Sequence, residues 1–327
     1  MTLTDTSHSP LEGPRIRLGI SACLLGQRVR YDGGHKFDPF LLNELGRYVE
    51  WVPVCPEVET GLPVPRESMH LAGDPDHPCL VARSGIDYTE RMRAWAQERA
   101  QQLSDARLHG FVFKKDSPSS GLFRVLVYDE HGIGQRVGIG MFARAVRERF
   151  PLLPLEEEGR LADARLRENF IERVFAYSRW MTVLEENLTP GGLVEFHTAH
   201  KLTMMAHSPR HYREMGQLVA QAGDLPSVEL AQAYSQMLMA GLSVLATPGK
   251  HANVLQHLMG FLKHSLGGED KAELLGLIDD YRRGLLPLII PLTLLKHHLW
   301  RFPVPDWIGK QVYLNPYPKE LMLRNRV

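Results

Sequence analysis

The sequence predicts an α/β domain built on a mostly parallel sheet with Rossmann-like layers, followed by an all-α domain. Three observations predict it. Short β-branched and aromatic runs alternate with amphipathic stretches through the first half. Beyond Leu188 the pattern is helical only. Between the two lies a Pro-Gly-Gly turn signal, Leu188–Gly192. A length of 327 residues suits about two domains at roughly 100–200 residues each.

In chain order, segment 1–14 has neither an apolar signal core nor an Arg-rich amphipathic pattern, and it reads as a disordered tail of a cytoplasmic protein. Residues 15–160 form the α/β domain. Its strands are expected at Arg15–Ala22, Tyr48–Val54, Leu108–Phe113 and Phe123–Tyr128, in one sheet with helices on both faces. A long helix is expected over Tyr88–Arg107, with Asp87 as its cap, and another near Gly140–Phe150. From Leu153 the acidic run LPLEEEG reads as a turn, and residues 161–190 as a connecting helix over about Asp163–Asn187 and a linker. Residues 191–327 read as helices at about Leu193–Ala206, Pro209–Gln221, Ser227–Ala246, Lys250–Ser265, Asp270–Arg283 and Pro291–Leu299. A Pro-broken C-terminal stretch then wraps back over the bundle.

Composition narrows the function classes. At 44% hydrophobic and 23% charged residues the chain is a folded globular protein rather than a disordered one. The formal net charge of +0 excludes a strongly basic nucleic-acid binder, though not a local basic face. The apolar run Leu285–Leu295 is too short to span a bilayer and is broken by Pro287 and Pro291, so no membrane partner is expected. Three cysteines are too few for a disulfide scaffold, and none lies in a CxxC pair that would suggest a zinc ribbon.

In an open parallel sheet, ligands bind beyond the carboxyl ends of the strands. Three such ends carry Cys23, Cys55 and the Ser117–Gly121 loop. Glu57 follows Cys55 by two residues and is the carboxylate best placed for proton transfer. Lys114, Ser117 and Ser119 flank the third strand end and are the further catalytic candidates, placed to orient substrate or water. Asp32, His35 and Lys36 surround Gly33-Gly34, where backbone can approach a ligand or can simply turn. Arg66 follows a rigid Pro-bounded loop and suits either an anionic ligand or an ion pair with Glu156–Glu158. In the second half, Lys201, His207, Arg210, His211 and Arg213 cluster in sequence, and Lys263, His264, Arg282 and Arg283 can add to a basic face. His197 and His200 read as core or surface histidines rather than metal ligands. His251, Asn253, Gln256 and His257 read as a helix face that meets RNA or the first domain.

The stretches SACLLG, VRYDGGHK, VPVCPEVETGLPVPRE and FKKDSPSSG resemble the thiouracil desulfidase family over about residues 15–150. The stretches EFHTAHKLTMMAHSP, HANVLQHLMGFLK and YRRGLLPLIIPLTLLKHHL resemble the helical domain fused to it in larger members. The fused form is similar to bacterial tRNA 4-thiouridine desulfidases. The resemblance implies a [4Fe-4S] cluster held by three cysteines, with one iron left free. It implies non-redox desulfuration of 4-thiouridine in tRNA, with release of sulfide. Cys23 and Cys55 match two of the ligands, whereas Ser120 stands where the family has its third cysteine. A Ser hydroxyl is a harder and far less acidic donor than a thiol. Three explanations stay open: an introduced Cys→Ser change, a natural variant with weakened or lost cluster binding, or Cys79 as the third ligand. The resemblance implies tRNA as partner and implies no protein partner; the basic cluster supplies Lys201, His207, Arg210, Arg213 and Lys263 as the expected tRNA contacts. Alternatives are a desulfidase of free thiouracil and an RNA-binding or sulfur-sensing protein without turnover.

Overall fold

The computed structural model describes residues 16–223 and 227–327; the tail over 1–14 lies outside the described residues. The chain divides into two compact units, residues 1–159 and 160–327.

The first unit is α/β. Its elements are β1 (Ile16–Ser21), β2 (Val49–Val54), α1 (Pro56–Glu59), β3 (Met69–Ala72), β4 (Cys79–Ala82), α2 (Thr89–Gln102), β5 (Gly110–Phe113), β6 (Val125–Tyr128), β7 (Gly134–Gly138), α3 (Met141–Arg149) and β8 (Leu155–Glu157). One sheet has the order β2-β1-β5-β8, and every pair in it is parallel. Its register sets Ser21 beside Val54 and Ile20 beside Val112, so the carboxyl ends of β1, β2 and β5 lie at one edge. Leu18, Ile20 and all of β5 are buried, as strands covered on both faces must be. Gly19 permits the close pairing of β1 with β5, because a Cβ there would lie 2.0 Å from the Phe111 ring.

Two expectations change. The strand at Val125–Tyr128 belongs to a second, mixed sheet of order β4-β3-β6-β7 rather than to the parallel sheet. It pairs antiparallel with the hairpin strand β7 and parallel with β3. The acidic run read as a turn is partly β8, the fourth strand of the parallel sheet. Its Glu157 is buried because Oε1 accepts the backbone N–H groups of Leu122 and Phe123 at 2.7 and 3.0 Å. Helix α2 starts one residue later than expected, with Tyr88 and not Asp87 at the cap position, although Asp87 Oδ1 accepts the Thr89 N–H at 2.7 Å. It ends earlier than expected, before Arg107 adopts a φ of 49°.

The second unit is helical: α4 (Ala164–Glu186), α5 (Pro190–His207), α6 (Pro209–Ala220), α7 (Ser227–Ser243), α8 (Pro248–Gly260), α9 (Gly268–Arg282), α10 (Ile289–Arg301) and the short α11 (Asp306–Gly309). The Thr-Pro-Gly-Gly signal is the start of α5 rather than a linker. Thr189 Oγ1 accepts the Gly192 N–H and Pro190 occupies the first helical position, where its missing donor costs nothing. The same Ser/Thr-Pro device opens α6 at Ser208 and α8 at Thr247. Helix α4, read above as connecting, packs into this unit. Its Trp180 is fully buried and donates Nε1–H to Ser235 Oγ at 2.7 Å.

The C-terminal stretch closes the second unit. Tyr313, Tyr317, Leu321 and Arg324 are buried. Arg324 meets Glu168 at 3.2 Å and Glu172 at 3.7 Å, and Tyr317 donates to Glu168 at 2.7 Å. No helix among the described residues is long and apolar enough to cross a membrane.

Candidate functional site

The sequence places Cys23, Cys55 and Lys114 just after three parallel strands, so the shared register brings these strand ends together. β1 runs into a single 3-10 turn, Ala22–Leu25, closed by Gly26 at a φ of 86°, which sets Cys23 at the strand end. β2 runs into Cys55, and Pro56 at the first position of α1 turns the chain sharply there. β5 runs into Lys114 and the Ser117–Gly121 loop. These ends line one cavity of about 450 Å³ with Cys23, Cys55, Glu57, Lys114, Ser117 and Ser120 on its wall.

Packing against α3 fixes the Ser117–Gly121 loop. The Phe142 N–H donates to Ser119 O at 2.8 Å, and the Gly140 N–H to Gly121 O at 2.7 Å. The otherwise orphaned donors of the α3 N-terminus thus hold the loop in place. Gly140 must lack a side chain, because a Cβ there would lie 2.5 Å from the carbonyl carbon of Ser119 and 2.7 Å from the Ser120 nitrogen. Gly140→Ala is therefore expected to destabilise the first unit by about 1–3 kcal/mol through overpacking. Urea unfolding of the variant checks this, and an unchanged midpoint would refute the close packing.

Glu57 is the hub of the site. Its Oε1 accepts Ser119 Oγ–H at 2.6 Å, and Ser119 Oγ lies 3.0 Å from Ser117 Oγ. Its Oε2 lies 3.5 Å from Cys55 Sγ and 3.6 Å from the Arg66 guanidinium. Arg66 is mostly buried, with a side chain 8% exposed, and also donates to Val29 O at 3.1 Å. Its ion partner is thus Glu57 and not the Glu156–Glu158 run. Lys114 instead pairs with Glu158 and donates to Lys115 O at 2.9 Å. Ser119 is 0% exposed and lies behind the wall, so it orients Glu57, whereas Ser117 reaches the cavity.

Burial pushes the Cys23 thiol up to about 11, although Lys114 and Arg30 pull the other way. Burial, with the Glu57 carboxylate adding to it, pushes the Cys55 thiol up to about 12. Both are neutral thiols until a metal displaces their protons. Ser120 is 4% exposed, and its hydroxyl has one long contact, 3.5 Å from Ser119 Oγ. Two soft thiols and one weakly engaged hydroxyl therefore face the same space. The residues fit an iron–sulfur cluster in position, with a harder third donor than thiolate. Cys79 is not that donor: it opens β4 in the second sheet, is exposed, and does not line the cavity. Of the residues around the two glycines, Lys36 reaches the cavity, with Tyr31 and Arg30, while Asp32 and His35 do not.

Several second-unit expectations are corrected. His207 is buried, with Nε2 2.8 Å from Glu172 Oε2 and Nδ1 2.7 Å from Val244 O, so it cannot touch RNA in this fold. His251 points inward to Tyr313 Oη at 3.0 Å, while Asn253, Gln256 and His257 stay exposed. His200 is buried against Phe196 O, and His197 lies 3.3 Å from Tyr234 Oη; no metal-binding group forms among the described residues. Lys201 stacks 3.5 Å over the Trp307 ring, Arg210 pairs with Glu214, and Arg213 and Lys263 are exposed. Sequence reasoning missed the Arg66–Glu57 pair, because neither spacing nor periodicity links residues on two separate loops.

The 2-thiouracil desulfurase family matches residues 18–158. A protein family of unknown function, DUF1722, matches residues 201–318. The uncharacterized protein YbgA of Escherichia coli (strain K12) is 33% identical over 162 residues, covering 49% of this chain and 95% of YbgA. A solved [4Fe-4S]-dependent thiouracil desulfidase, TudS, is similar over 45% of this chain and 93% of its own, at 29% identity and a TM-score of 0.38.

Proposed function

We propose, for a chain that belongs to the same family as YbgA and carries a 2-thiouracil desulfurase domain over residues 18–158, that it replaces the sulfur of a thiolated pyrimidine by oxygen, and that 4-thiouridine in tRNA is its substrate. The observation that carries this reading is the convergence of Cys23, Cys55, Ser120 and Glu57 on one cavity within the matched region. The second folded unit favours a macromolecular substrate, since a free base needs no such addition. The exposed Arg210, Arg213 and Lys263 are cations that RNA phosphates can meet there.

Cys23, Cys55 and Ser120 would hold a [4Fe-4S] cluster. When bound, the cluster supplies a Lewis acid for the thiocarbonyl sulfur. The chain's own groups do the rest. Glu57 takes a proton from water as the water oxygen bonds to C4 of the pyrimidine. The C–S bond then breaks with its electron pair on sulfur, C4 becomes a carbonyl, and the water's two protons leave with the sulfur as hydrogen sulfide. No electron is gained or lost overall. Ser119 fixes the Oε1 side of Glu57, which leaves Oε2 directed toward Cys55 and Arg66. Ser117, on the cavity wall, is placed to hold water or the ring. Arg66 keeps compensating charge beside the largely buried Glu57 carboxylate.

The test is anaerobic cluster reconstitution of this chain beside Ser120→Cys, followed by loss of thiocarbonyl absorbance from 4-thiouridine-containing tRNA. Ser120→Cys is expected to hold more iron and to turn over faster, because a thiolate binds the cluster better than a hydroxyl. Absence of sulfide release from both proteins, with iron bound, would sink the enzyme reading. A second reading, RNA binding without turnover, is favoured by Ser120 itself; it predicts that only the Cys variant desulfurates while both bind tRNA equally.

A further inference from the structure

We propose that Glu157, the last residue of β8, and Glu158, the next, are positioning residues: they clamp the 114–123 loop at both ends and so hold residue 120 toward Cys23 and Cys55. The proposal rests on the cluster reading above, in which residue 120 is the third donor.

Cys23 and Cys55 need no such help. Each follows its strand closely, in a turn set by Gly26 or by Pro56. Ser120 is different. It lies well beyond the end of β5 at Phe113, on a loop that leaves the parallel sheet and enters the second sheet at Val125. A connection between two sheets has no ladder of its own, so its backbone N–H groups must find other partners.

Two carboxylates supply them. At the entry, Glu158 Oε2 accepts the Lys115 N–H at 2.7 Å, and Oε1 pairs with the Lys114 ammonium. At the exit, Glu157 Oε1 accepts both the Leu122 and the Phe123 N–H groups. Between these points the loop closes on itself: Ser117 Oγ accepts the Ser120 N–H at 3.1 Å, and Ser117 O accepts the Gly121 N–H at 2.7 Å. The α3 contacts fix the middle of the loop, and the two acids fix its ends.

The backbone beside each clamp is strained. Asp116 and Arg124, each next to a clamped residue, adopt φ values of 59° and 53°. Such left-handed values are costly for residues other than glycine and persist where surrounding contacts over-determine them. Glu157 is also 2% exposed, at a strand position that an apolar residue would fill without the cost of burying a carboxylate. What the carboxylate adds is charge, which strengthens both N–H bonds at the loop's exit.

The experiment is amide hydrogen exchange of the full chain without iron, beside Glu157→Gln and Glu158→Gln. It is joined to chelator-driven iron release from the reconstituted Ser120→Cys protein carrying the same changes. Gln keeps an acceptor and removes the charge. Exchange over 114–123 is expected to rise about tenfold relative to the segments around Cys23 and Cys55, the difference between a charged and a neutral acceptor. Iron release is expected to quicken by a similar factor. A merely structural role would instead loosen all three segments together. Unchanged exchange in the loop, a rise shared equally by the Cys23 and Cys55 segments, or iron release at the parent rate would overturn the proposal. Glu158→Gln, at a half-buried position, keeps the test decisive where Glu157→Gln loses its fold. Absence of iron from Ser120→Cys with both acids intact would refute the cluster reading alone, since exchange in the iron-free chain still decides whether the clamp exists.

Discussion

On the proposed function, replacing Glu57 with Gln is expected to lower the desulfuration rate by about 10²–10⁴-fold, the range a positioned general base contributes. The amide keeps the shape of the side chain and can still accept from Ser119 Oγ–H across the 2.6 Å contact. It cannot take a proton from water, and it leaves the Arg66 guanidinium, 3.6 Å away, without its counter-charge. Arg66 is mostly buried, so part of the loss can come from disturbed structure. The double variant Glu57→Gln/Arg66→Gln separates the two effects: it removes the unpaired charge without restoring a base. Single-turnover loss of thiocarbonyl absorbance at matched iron content is the measurement. Full turnover in Glu57→Gln with unchanged iron would remove Glu57 from the mechanism.

The second large effect lies in the other unit. Glu172→Gln is expected to destabilise the helical unit by about 3–5 kcal/mol, the cost of removing one partner from a buried ion pair. Glu172 and His207 are both buried and meet at 2.8 Å, and Arg324 closes the group from the C-terminal stretch. Burial acts to raise the Glu172 carboxyl, but His207 and Arg324 outweigh it and hold it down at about 2. Burial likewise acts to lower His207, but the Glu172 carboxylate outweighs it and raises the imidazole above its ordinary value.

The pH dependence follows from these signs. A depressed carboxylate contributes stability that is present above its unfolded pKa of about 4.3 and is lost as pH falls toward the folded value. A raised histidine contributes stability that is complete below its unfolded pKa of about 6.5 and is lost as pH rises through the folded value. Glu168, raised by burial, works in the opposite sense on the acid side, so the alkaline limb is the cleaner one. His197, His200 and His251, pushed down by burial, act in the opposite sense below about pH 6.5, so urea unfolding between pH 7 and 9 is the test: stability should fall as pH rises in the parent chain, with a flatter profile in Glu172→Gln. An identical slope in both proteins would show that the pair carries no charge-dependent stability.

The candidate site was largely legible because its chemistry sits at strand ends. Cys23, Cys55, Glu57 and Ser120 each follow a short apolar run or sit in a Pro- or Gly-rich turn, and parallel register does the rest. Lys114 follows the third strand end in the sequence, yet it is held by Glu158, the residue after a strand that local pattern takes for a turn. The Leu155–Glu157 strand was illegible because three acidic residues argue against a strand unless a neighbour supplies partners. The Leu122 and Phe123 N–H groups supply them for Glu157. His207 was misjudged for a similar reason. Its position beside Arg210 and Arg213 suggests a basic surface, but Glu172, 35 residues earlier, draws it into the interior.

By itself the sequence determined the two-part α/β and helical organisation, the start of α6 at Pro209, and the residues at the strand ends. These depend on periodicity, capping chemistry and covalent neighbours, which are local and written in order along the chain. Only the tertiary structure decided that Phe123–Tyr128 leaves the parallel sheet, that Arg66 serves Glu57, and that Cys79 stands away from the cavity. It also decided that Lys36 and Lys115 line the cavity while Lys114 is tied to Glu158. Each of these depends on a pairing or a separation between segments that are not neighbours along the chain. Such a pairing is set by which buried group most needs a partner, and no local pattern records that need.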